Sequence, residues 1–199
     1  MQIKLFVAIP SEFPLEVCPP GIELIYTGVG KVNAAIRATQ SLMDVDPAST
    51  IVINYGSAGS AHHTLHSIIK CKKFQQADMD ARPLAPDWGH TPFDDITHPH
   101  IEQGILIFDE NGELCTTQDK FQLHPIFEVN DMEAYGIAKV CRILRFDFTA
   151  YKFISDSGDA SDWVDNHHLG IEGFLDILNN LYLKWTSTPP STPNSQPST

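Results

Sequence analysis

Short apolar runs of strand length constrain the fold of this chain more than any other feature of its sequence. The clearest runs are at 3–9, 22–27, 50–54 and 150–154. The first is almost continuously apolar, which is typical of a strand that is covered on both faces. Strands of this kind occur in parallel or mixed sheets that lie between layers of helices. The sequence therefore predicts an α/β fold.

Segments with helical spacing alternate with these runs. The segment 31–43 is rich in alanine, 131–144 carries one apolar face, and 169–185 is an amphipathic closing helix. Alternating strands and helices predict one domain over 1–185, a three-layer α/β/α sandwich around a central twisted mixed sheet. The tail 186–199 contains only Thr, Ser, Pro, Asn and Gln, so it is predicted to be disordered.

One turn signal predicts a further local structure. Asn111-Gly112 lies between the apolar runs 105–108 and 113–117. Asn-Gly between two such runs is a strong signal for a β-hairpin, because both residues tolerate the backbone angles of the tight turn. The sequence therefore predicts that these two runs pair with each other.

The charge of the chain excludes some classes of partner. The formal net charge is -12, from 13 basic and 25 acidic residues, and no basic stripe is present. A nucleic-acid partner or an anionic membrane surface would lack its electrostatic attraction. A small neutral or cationic ligand fits better. The apolar run at 3–9 is too short for a signal peptide, and no run approaches the ~20 apolar residues of a membrane span. We therefore expect a soluble cytoplasmic protein.

The cysteines and histidines do not predict a metal site. The four cysteines are scattered without a CxxC pair, which favours reduced thiols. The histidine clusters are His62-His63, His98 with His100, and His167-His168, and none has the spacing of a helical zinc site. The sequence predicts neither a metal nor a cofactor.

Two groups of small residues follow predicted strands. Gly28-Val29-Gly30-Lys31 lies between a strand and a helix, and it matches neither GxGxxG nor GxxxxGK[ST]. Gly56-Ser57-Ala58-Gly59 is interpreted as a second turn after a strand, whose amides and Ser57 hydroxyl suit a sugar or an anion. Plain tight turns remain the alternative for both.

Two acids lie in settings that suit chemistry. Asp156 follows an apolar run and precedes small residues, and Glu133 lies in Asp131-Met132-Glu133-Ala134. An acid at the end of a buried strand is a common position for a catalytic group in α/β proteins. The alternative is that each acid caps a helix.

Taken together, these pieces resemble the nucleoside phosphorylase and nucleosidase superfamily, and most closely the 5'-methylthioadenosine/S-adenosylhomocysteine nucleosidases. The matching pieces are, in order, Ala8-Ile9-Pro10-Ser11-Glu12, Gly28-Val29-Gly30-Lys31-Val32-Asn33-Ala34-Ala35, Val52-Ile53-Asn54-Tyr55-Gly56-Ser57-Ala58-Gly59, Asp131-Met132-Glu133-Ala134 and Ile154-Ser155-Asp156. The resemblance extends to about residue 185 and implies a nucleoside phosphorylase-like fold.

The resemblance implies catalytic roles for two acids. Asp156 would protonate N7 of the leaving purine, which requires a desolvated carboxyl or a proton relay near neutral pH. Glu12 would orient and deprotonate the attacking water. Cleavage of an N-glycosidic bond passes through an oxocarbenium-like state, so two acids in separate roles are physically suitable.

The resemblance also implies substrate-binding roles. Glu133 would accept hydrogen bonds from the ribose hydroxyls, Met132 would pack on the sugar, and Phe121 would lie over the purine. Ser155 would position Asp156 or the base. Lys152 stands where these nucleosidases usually carry an arginine near the water, and it keeps the charge without the bidentate fork.

The implied activity is hydrolysis of an adenine nucleoside with a modified 5' position, such as 5'-methylthioadenosine or S-adenosylhomocysteine, which releases adenine. The strand 51–55 lacks the arginine that phosphorylases place near it, so water is favoured over phosphate as the nucleophile. The alternatives are a phosphorolytic purine nucleoside phosphorylase and a non-catalytic nucleoside-binding or storage relative. Relatives of this kind commonly form dimers, and the apolar loop 83–93 is predicted to complete the pocket of a second subunit in a homodimer. The alternative is that this loop folds over its own domain.

Overall fold

The computed structural model describes residues 2–82, 84–85, 87–94, 104–121 and 128–187. Within them lie eight strands and four α-helices. In chain order they are β1 (Gln2–Val7), β2 (Ile22–Tyr26), α1 (Lys31–Leu42), β3 (Thr50–Gly59), β4 (Ile68–Gln76), β5 (Ile105–Ile107), β6 (Glu113–Thr117), β7 (Val129–Asp131), α2 (Ala134–Leu144), β8 (Phe148–Asp156), α3 (Ala160–Asn166) and α4 (Ile171–Ser187).

The strands form one mixed sheet. β1 lies parallel between β2 and β3, and β8 runs parallel to β3. β8 also pairs antiparallel with β4, and β4 pairs parallel with β6. β6 pairs with β7, which meets the far end of β3 where Gly59 pairs with Asn130. Five strands, β3, β8, β4, β6 and β7, therefore close into a ring, and the ends of β3, β7 and β8 come together.

Helices cover the two faces of the sheet, as the sequence predicts. On one face, Ala34 and Ala38 of α1 and Ile137 of α2 belong to an apolar cluster with residues of the sheet. On the other face, Phe174 and Leu178 of α4 are fully buried in a second cluster. The predicted three-layer α/β/α sandwich with a mixed sheet is confirmed.

The predicted hairpin around Asn111-Gly112 is wrong. β5 pairs antiparallel with β4, and β6 pairs parallel with β4 on its other side. The connection therefore carries the chain across β4. The hairpin prediction failed because the sequence pattern did not identify β4, whose residues include Lys70, Lys72 and Lys73.

The interpretation of Gly56-Ser57-Ala58-Gly59 as a turn is also wrong, because β3 continues to Gly59. The small residues serve a different purpose. A Cβ atom on Gly56 would lie 3.4 Å from Lys152 Nζ, and one on Gly59 would lie 3.0 Å from Asp156 Oδ1. The absence of a Cβ on Gly59 therefore leaves room for the Asp156 carboxylate, whereas a Cβ on Gly56 would make an ordinary contact with Lys152.

Two predicted boundaries change. The helix predicted from residue 131 begins at Ala134, because Asp131 belongs to β7. The closing helix continues to Ser187, two residues into the predicted tail. The rest of that tail, 188–199, lies outside the described residues, so its disorder stays a prediction. Among the helices that the structure describes, none is long and apolar enough to cross a membrane.

Candidate active site

A cavity of about 190 Å³ lies where the ends of β3, β7 and β8 meet. Six of the eight side chains predicted to act on a ligand line it, namely Glu12, Ser57, Phe121, Met132, Glu133 and Asp156. The other two, Lys152 and Ser155, are fully buried and do not line it. The fold therefore brings together residues that are scattered over most of the chain.

Glu12 follows β1 and is only 5% exposed. Its Oε1 accepts hydrogen bonds from the Ser57 amide at 2.8 Å and the Ser57 hydroxyl at 2.5 Å. Its Oε2 accepts none from any residue that the structure describes. The carboxylate is thus held through one oxygen, and the other is free to accept a proton.

Asp156 is the last residue of β8. Its Oδ1 accepts a hydrogen bond from the Gly158 amide at 2.8 Å, and its Oδ2 accepts one from the Ser155 hydroxyl at 2.9 Å. Burial raises the pKa of Asp156, the two hydrogen bonds oppose this rise, and the charges of Asp162 and Asp159 add to it. A raised pKa suits a carboxyl that must carry a proton to a leaving group.

Glu133 precedes α2 and faces the glycine turn before α1. Its Oε1 accepts a hydrogen bond from the Gly30 amide at 2.9 Å. Gly28 and Gly30 have φ angles of 74° and 96°, which favour glycine. The turn therefore joins a strand to a helix and also directs the Gly30 amide to the Glu133 carboxylate. Burial raises the pKa of Glu133 to about 8, and Asp131 contributes to the rise while Lys152 opposes it.

Lys152 forms a buried ion pair with Asp131, with 2.7 Å between Nζ and Oδ2. Asp131 also accepts hydrogen bonds from the Thr117 hydroxyl at 2.5 Å and from the Ala134 amide at 2.8 Å. Burial alone would lower the pKa of Lys152, but the charges of Asp131, Cys115 and Glu133 together with the hydrogen bond to Asp131 outweigh it, and the pKa is raised. The ammonium therefore acts from behind the cavity wall and stays charged.

Several residues that line the cavity were not predicted as site residues from the sequence. Asn130, Asp131, Lys120 and Trp163 all line it. Trp163 lies on α3, and its indole nitrogen donates a hydrogen bond to the Ser57 hydroxyl at 2.8 Å. The sequence did carry a signal for the start of α3, since Asp159 is a residue type that commonly caps helices. In the structure Asp159 accepts a hydrogen bond from the Ser161 amide at 2.8 Å. The contact between Trp163 and Ser57 had no local signal.

The cationic groups at the cavity are few. Lys120 is the only lysine or arginine among the described residues that line it. An anion such as phosphate is usually held by arginine side chains or by a cluster of donors. The lining therefore suits a neutral ligand better than a phosphate.

A group of possible metal ligands lies away from the cavity lining. His63, Glu113 and Glu128 place one ligand atom each within 4.8 Å of one another. His63 and both glutamates are at least partly exposed, and exposed acidic groups commonly occur without an ion. The chemistry of the cavity does not require these residues.

Comparisons with known proteins bear on the family and on the fold of the chain. No protein-family model matches the chain. A curated 5'-methylthioadenosine/S-adenosylhomocysteine nucleosidase from Bacillus velezensis is 31% identical over 169 residues, which cover 71% of this chain and 72% of the relative. A Helicobacter pylori nucleosidase of the same name, solved as a mutant with 5'-methylthioadenosine in its active site, has a TM-score of 0.76 at 15% identity and covers 92% of this chain and 98% of that chain.

The fold alone does not distinguish these nucleosidases from structures with other named activities. A futalosine hydrolase from Helicobacter pylori has a TM-score of 0.75 at 15% identity, and the match covers 92% of this chain and 97% of that chain. The sequence identity to the Bacillus velezensis relative is higher and extends over more than two thirds of both chains. On that basis the chain belongs to the family of 5'-methylthioadenosine/S-adenosylhomocysteine nucleosidases.

Proposed function

We propose that the protein hydrolyses the N-glycosidic bond of adenine nucleosides with a modified 5' position and releases adenine. The substrates named by its relatives are 5'-methylthioadenosine and S-adenosylhomocysteine. One observation carries the proposal. A carboxylate held through one oxygen, Glu12, and a buried acid with a raised pKa, Asp156, line the same cavity.

The two acids divide the chemistry. Asp156 gives its proton to N7 of the purine as the bond to the sugar breaks, so adenine leaves as a neutral base. Glu12 accepts a proton from the water that attacks the oxocarbenium-like sugar, through the oxygen that Ser57 does not engage. After product release the proton returns from Glu12 to Asp156 through solvent.

The remaining residues bind and position the substrate. Glu133 accepts hydrogen bonds from the ribose hydroxyls, while the Gly30 amide holds its other oxygen. Met132 and Phe121 supply apolar contacts to the sugar and the purine. Ser155 positions Asp156 through the hydrogen bond to Oδ2. Lys152 acts indirectly, through its ion pair with Asp131.

Water is favoured over phosphate as the nucleophile, because Lys120 is the only lysine or arginine among the described lining residues. The test is to incubate the purified protein with 5'-methylthioadenosine in phosphate-free buffer. We expect free adenine and 5-methylthioribose. Product that appears only with added phosphate, as a ribose 1-phosphate, would establish a phosphorylase. Tight binding without turnover would establish a nucleoside-binding relative.

We further infer a homodimer. In the loop around residue 88, the Trp88 indole donates to the Ala77 carbonyl at 2.7 Å and packs against Arg82. Leu84 and Phe93 remain 71% and 64% exposed, which favours burial against a second subunit. Pro83 and Pro86 lie outside the described residues. Sedimentation at micromolar concentration tests this, and a fully active 22 kDa monomer would rule out a shared site.

The four cysteines support a location in the cytoplasm. All four are free thiols, and Cys71, Cys115 and Cys141 are buried. Free thiols are typical of proteins kept in a reducing compartment. Fractionation of cells that express the protein tests this inference, and recovery in a secreted fraction would contradict it.

A further inference from the structure

A chain of hydrogen bonds links α3 to the acid that follows β1. The Trp163 indole nitrogen lies 2.8 Å from Ser57 Oγ, and Ser57 Oγ lies 2.5 Å from Glu12 Oε1. Trp163 and Ser57 both line the cavity beside Glu12. We propose that Trp163 is a positioning residue for the hydrolysis: its N–H fixes the direction of the Ser57 hydroxyl and thereby the orientation of the Glu12 carboxylate.

The direction of each hydrogen bond follows from the groups themselves. An indole nitrogen only donates, so Ser57 Oγ must accept from Trp163. The serine hydroxyl has a single proton, which is then directed to Glu12 Oε1. Without the indole, the hydroxyl gains freedom to rotate and to bond elsewhere in the cavity. Glu12 would then keep only the Ser57 amide at 2.8 Å and would be held less firmly.

The position of Trp163 is itself fixed from several sides. Asp159 caps α3, and the Trp163 ring stacks on His167 with 4.6 Å between ring centroids and 19° between planes. Asn166, at the end of α3, donates a hydrogen bond to the Ser155 carbonyl at 3.1 Å. The same short helix therefore contacts the strand end that carries Asp156 and the network that holds Glu12.

This inference rests on the proposed function, in which Glu12 receives the proton of the attacking water. A base that is less well oriented slows the chemical step and leaves ground-state binding nearly unchanged. The loss should therefore fall on kcat, and it should depend on the Ser57 hydroxyl through which Trp163 acts.

The test is a double-mutant cycle with Trp163→Phe and Ser57→Ala, assayed on 5'-methylthioadenosine in phosphate-free buffer. Trp163→Phe keeps an aromatic ring and removes the N–H. We expect it to lower kcat about tenfold, on the scale of one lost hydrogen bond, with KM changed less than about threefold. In the Ser57→Ala background, the same substitution should change kcat less than about twofold. Val164→Ala, at a residue of α3 that is 59% exposed, is the matched control and should behave as the unmodified protein.

The outcomes separate the possible failures. An equal loss from Trp163→Phe in both backgrounds would show that the ring only packs against the cavity, and would overturn the inference. Should Trp163→Phe not fold, Ser57→Ala alone decides, because an unchanged kcat would show that the hydroxyl does not position Glu12. Absence of hydrolysis by the unmodified protein would instead contradict the proposed function.

Discussion

Asp131 and Lys152 pair with 2.7 Å between Oδ2 and Nζ, and both side chains are almost completely removed from solvent. Asp131 is two residues from Glu133, and it is paired with the Lys152 ammonium, which lowers the pKa of Glu133. Glu133 is therefore buried near a positive charge, that of Lys152, which already has a carboxylate partner in Asp131. Burial and the charge of Asp131 together raise the pKa of Glu133 to about 8, against the opposing effect of Lys152.

The first prediction concerns the pH dependence of substrate binding. Ribose hydroxyls donate hydrogen bonds to a carboxylate, so binding favours ionised Glu133. With a pKa of about 8, the free protein holds a proton there at neutral pH and must release it. Affinity for 5'-methylthioadenosine should therefore rise from pH 6.5 to 8.5, about tenfold per pH unit below the pKa, and then level off.

Isothermal titration with the Asp156→Asn protein, in which turnover is expected to be slow, measures this affinity. Adding Glu133→Gln should flatten the pH dependence. It should also weaken the binding of 5'-methylthioadenosine, while the binding of a 2',3'-dideoxy analogue should barely change. An unchanged pH dependence in the double variant would assign the proton to another group, and equal weakening of both ligands would show that Glu133 does not touch the ribose.

The second prediction concerns stability. The folded-state pKa of Glu133, about 8, lies above the ordinary value of 4.5, so the folded state binds more protons between these two values. Stability therefore falls as pH rises through this window, and above pH 8 the protein carries the full cost of a buried charge. Glu133→Gln should raise Tm by about 2 to 4 °C at pH 9, and the gain should shrink towards pH 5.

Thermal unfolding at pH 5, 7 and 9 measures these shifts. Glu172→Gln, at an exposed residue of α4, is the matched control and should leave Tm unchanged. A gain that is equal at all three pH values would mean that the substitution acts through packing rather than through the charge.

The third prediction concerns the ion pair. Lys152→Met leaves Asp131 buried without its cation, which should cost about 3 to 5 kcal/mol in the free energy of unfolding. Combining Lys152→Met with Asp131→Asn removes the unpaired charge and keeps an acceptor for the Thr117 hydroxyl. This double variant should therefore recover at least about half of the lost stability. Urea unfolding measures the difference. Lys70→Met, at an exposed residue of β4, is the control. A double variant less stable than Lys152→Met would show that the two side chains are not coupled in this way.

The three acids of the candidate site were named from sequence for two reasons: Asp156 and Glu133 lie beside recognisable local patterns, whereas Glu12 was named through the family resemblance. Glu12 follows the apolar run of β1, Asp156 ends that of β8, and Glu133 lies in a short motif beside α2. The strands β4 and β7 were not predictable in this way. β4 contains three lysines, and β7 has only three residues. Both depend on pairing with strands that are distant in the chain.

The network around Ser57 shows the same limit. Ser57 was identified as a site residue for its place among small residues, although the predicted turn is a strand. Its partner Trp163 lies 106 residues further along the chain on a helix of seven residues. The parallel pairing of β3 with β8, which α3 follows in the chain, brings the two segments together. Local patterns and the family resemblance therefore indicate candidate catalytic groups, whereas the groups proposed to orient them depend on tertiary contacts.

The last prediction concerns the general acid. Asp156→Asn keeps the size of the side chain and its hydrogen bond from the Gly158 amide, and removes the proton donor. We expect kcat to fall by ~2 to 4 decades, while the affinity for 5'-methylthioadenosine changes little. Asp165→Asn, at an exposed acid of α3, is the matched control and should keep normal turnover. Steady-state kinetics and titration with the nucleoside give the two quantities separately. A near-normal rate for Asp156→Asn would assign protonation of the purine to another group, and a parallel loss of binding would make Asp156 a binding residue rather than the acid.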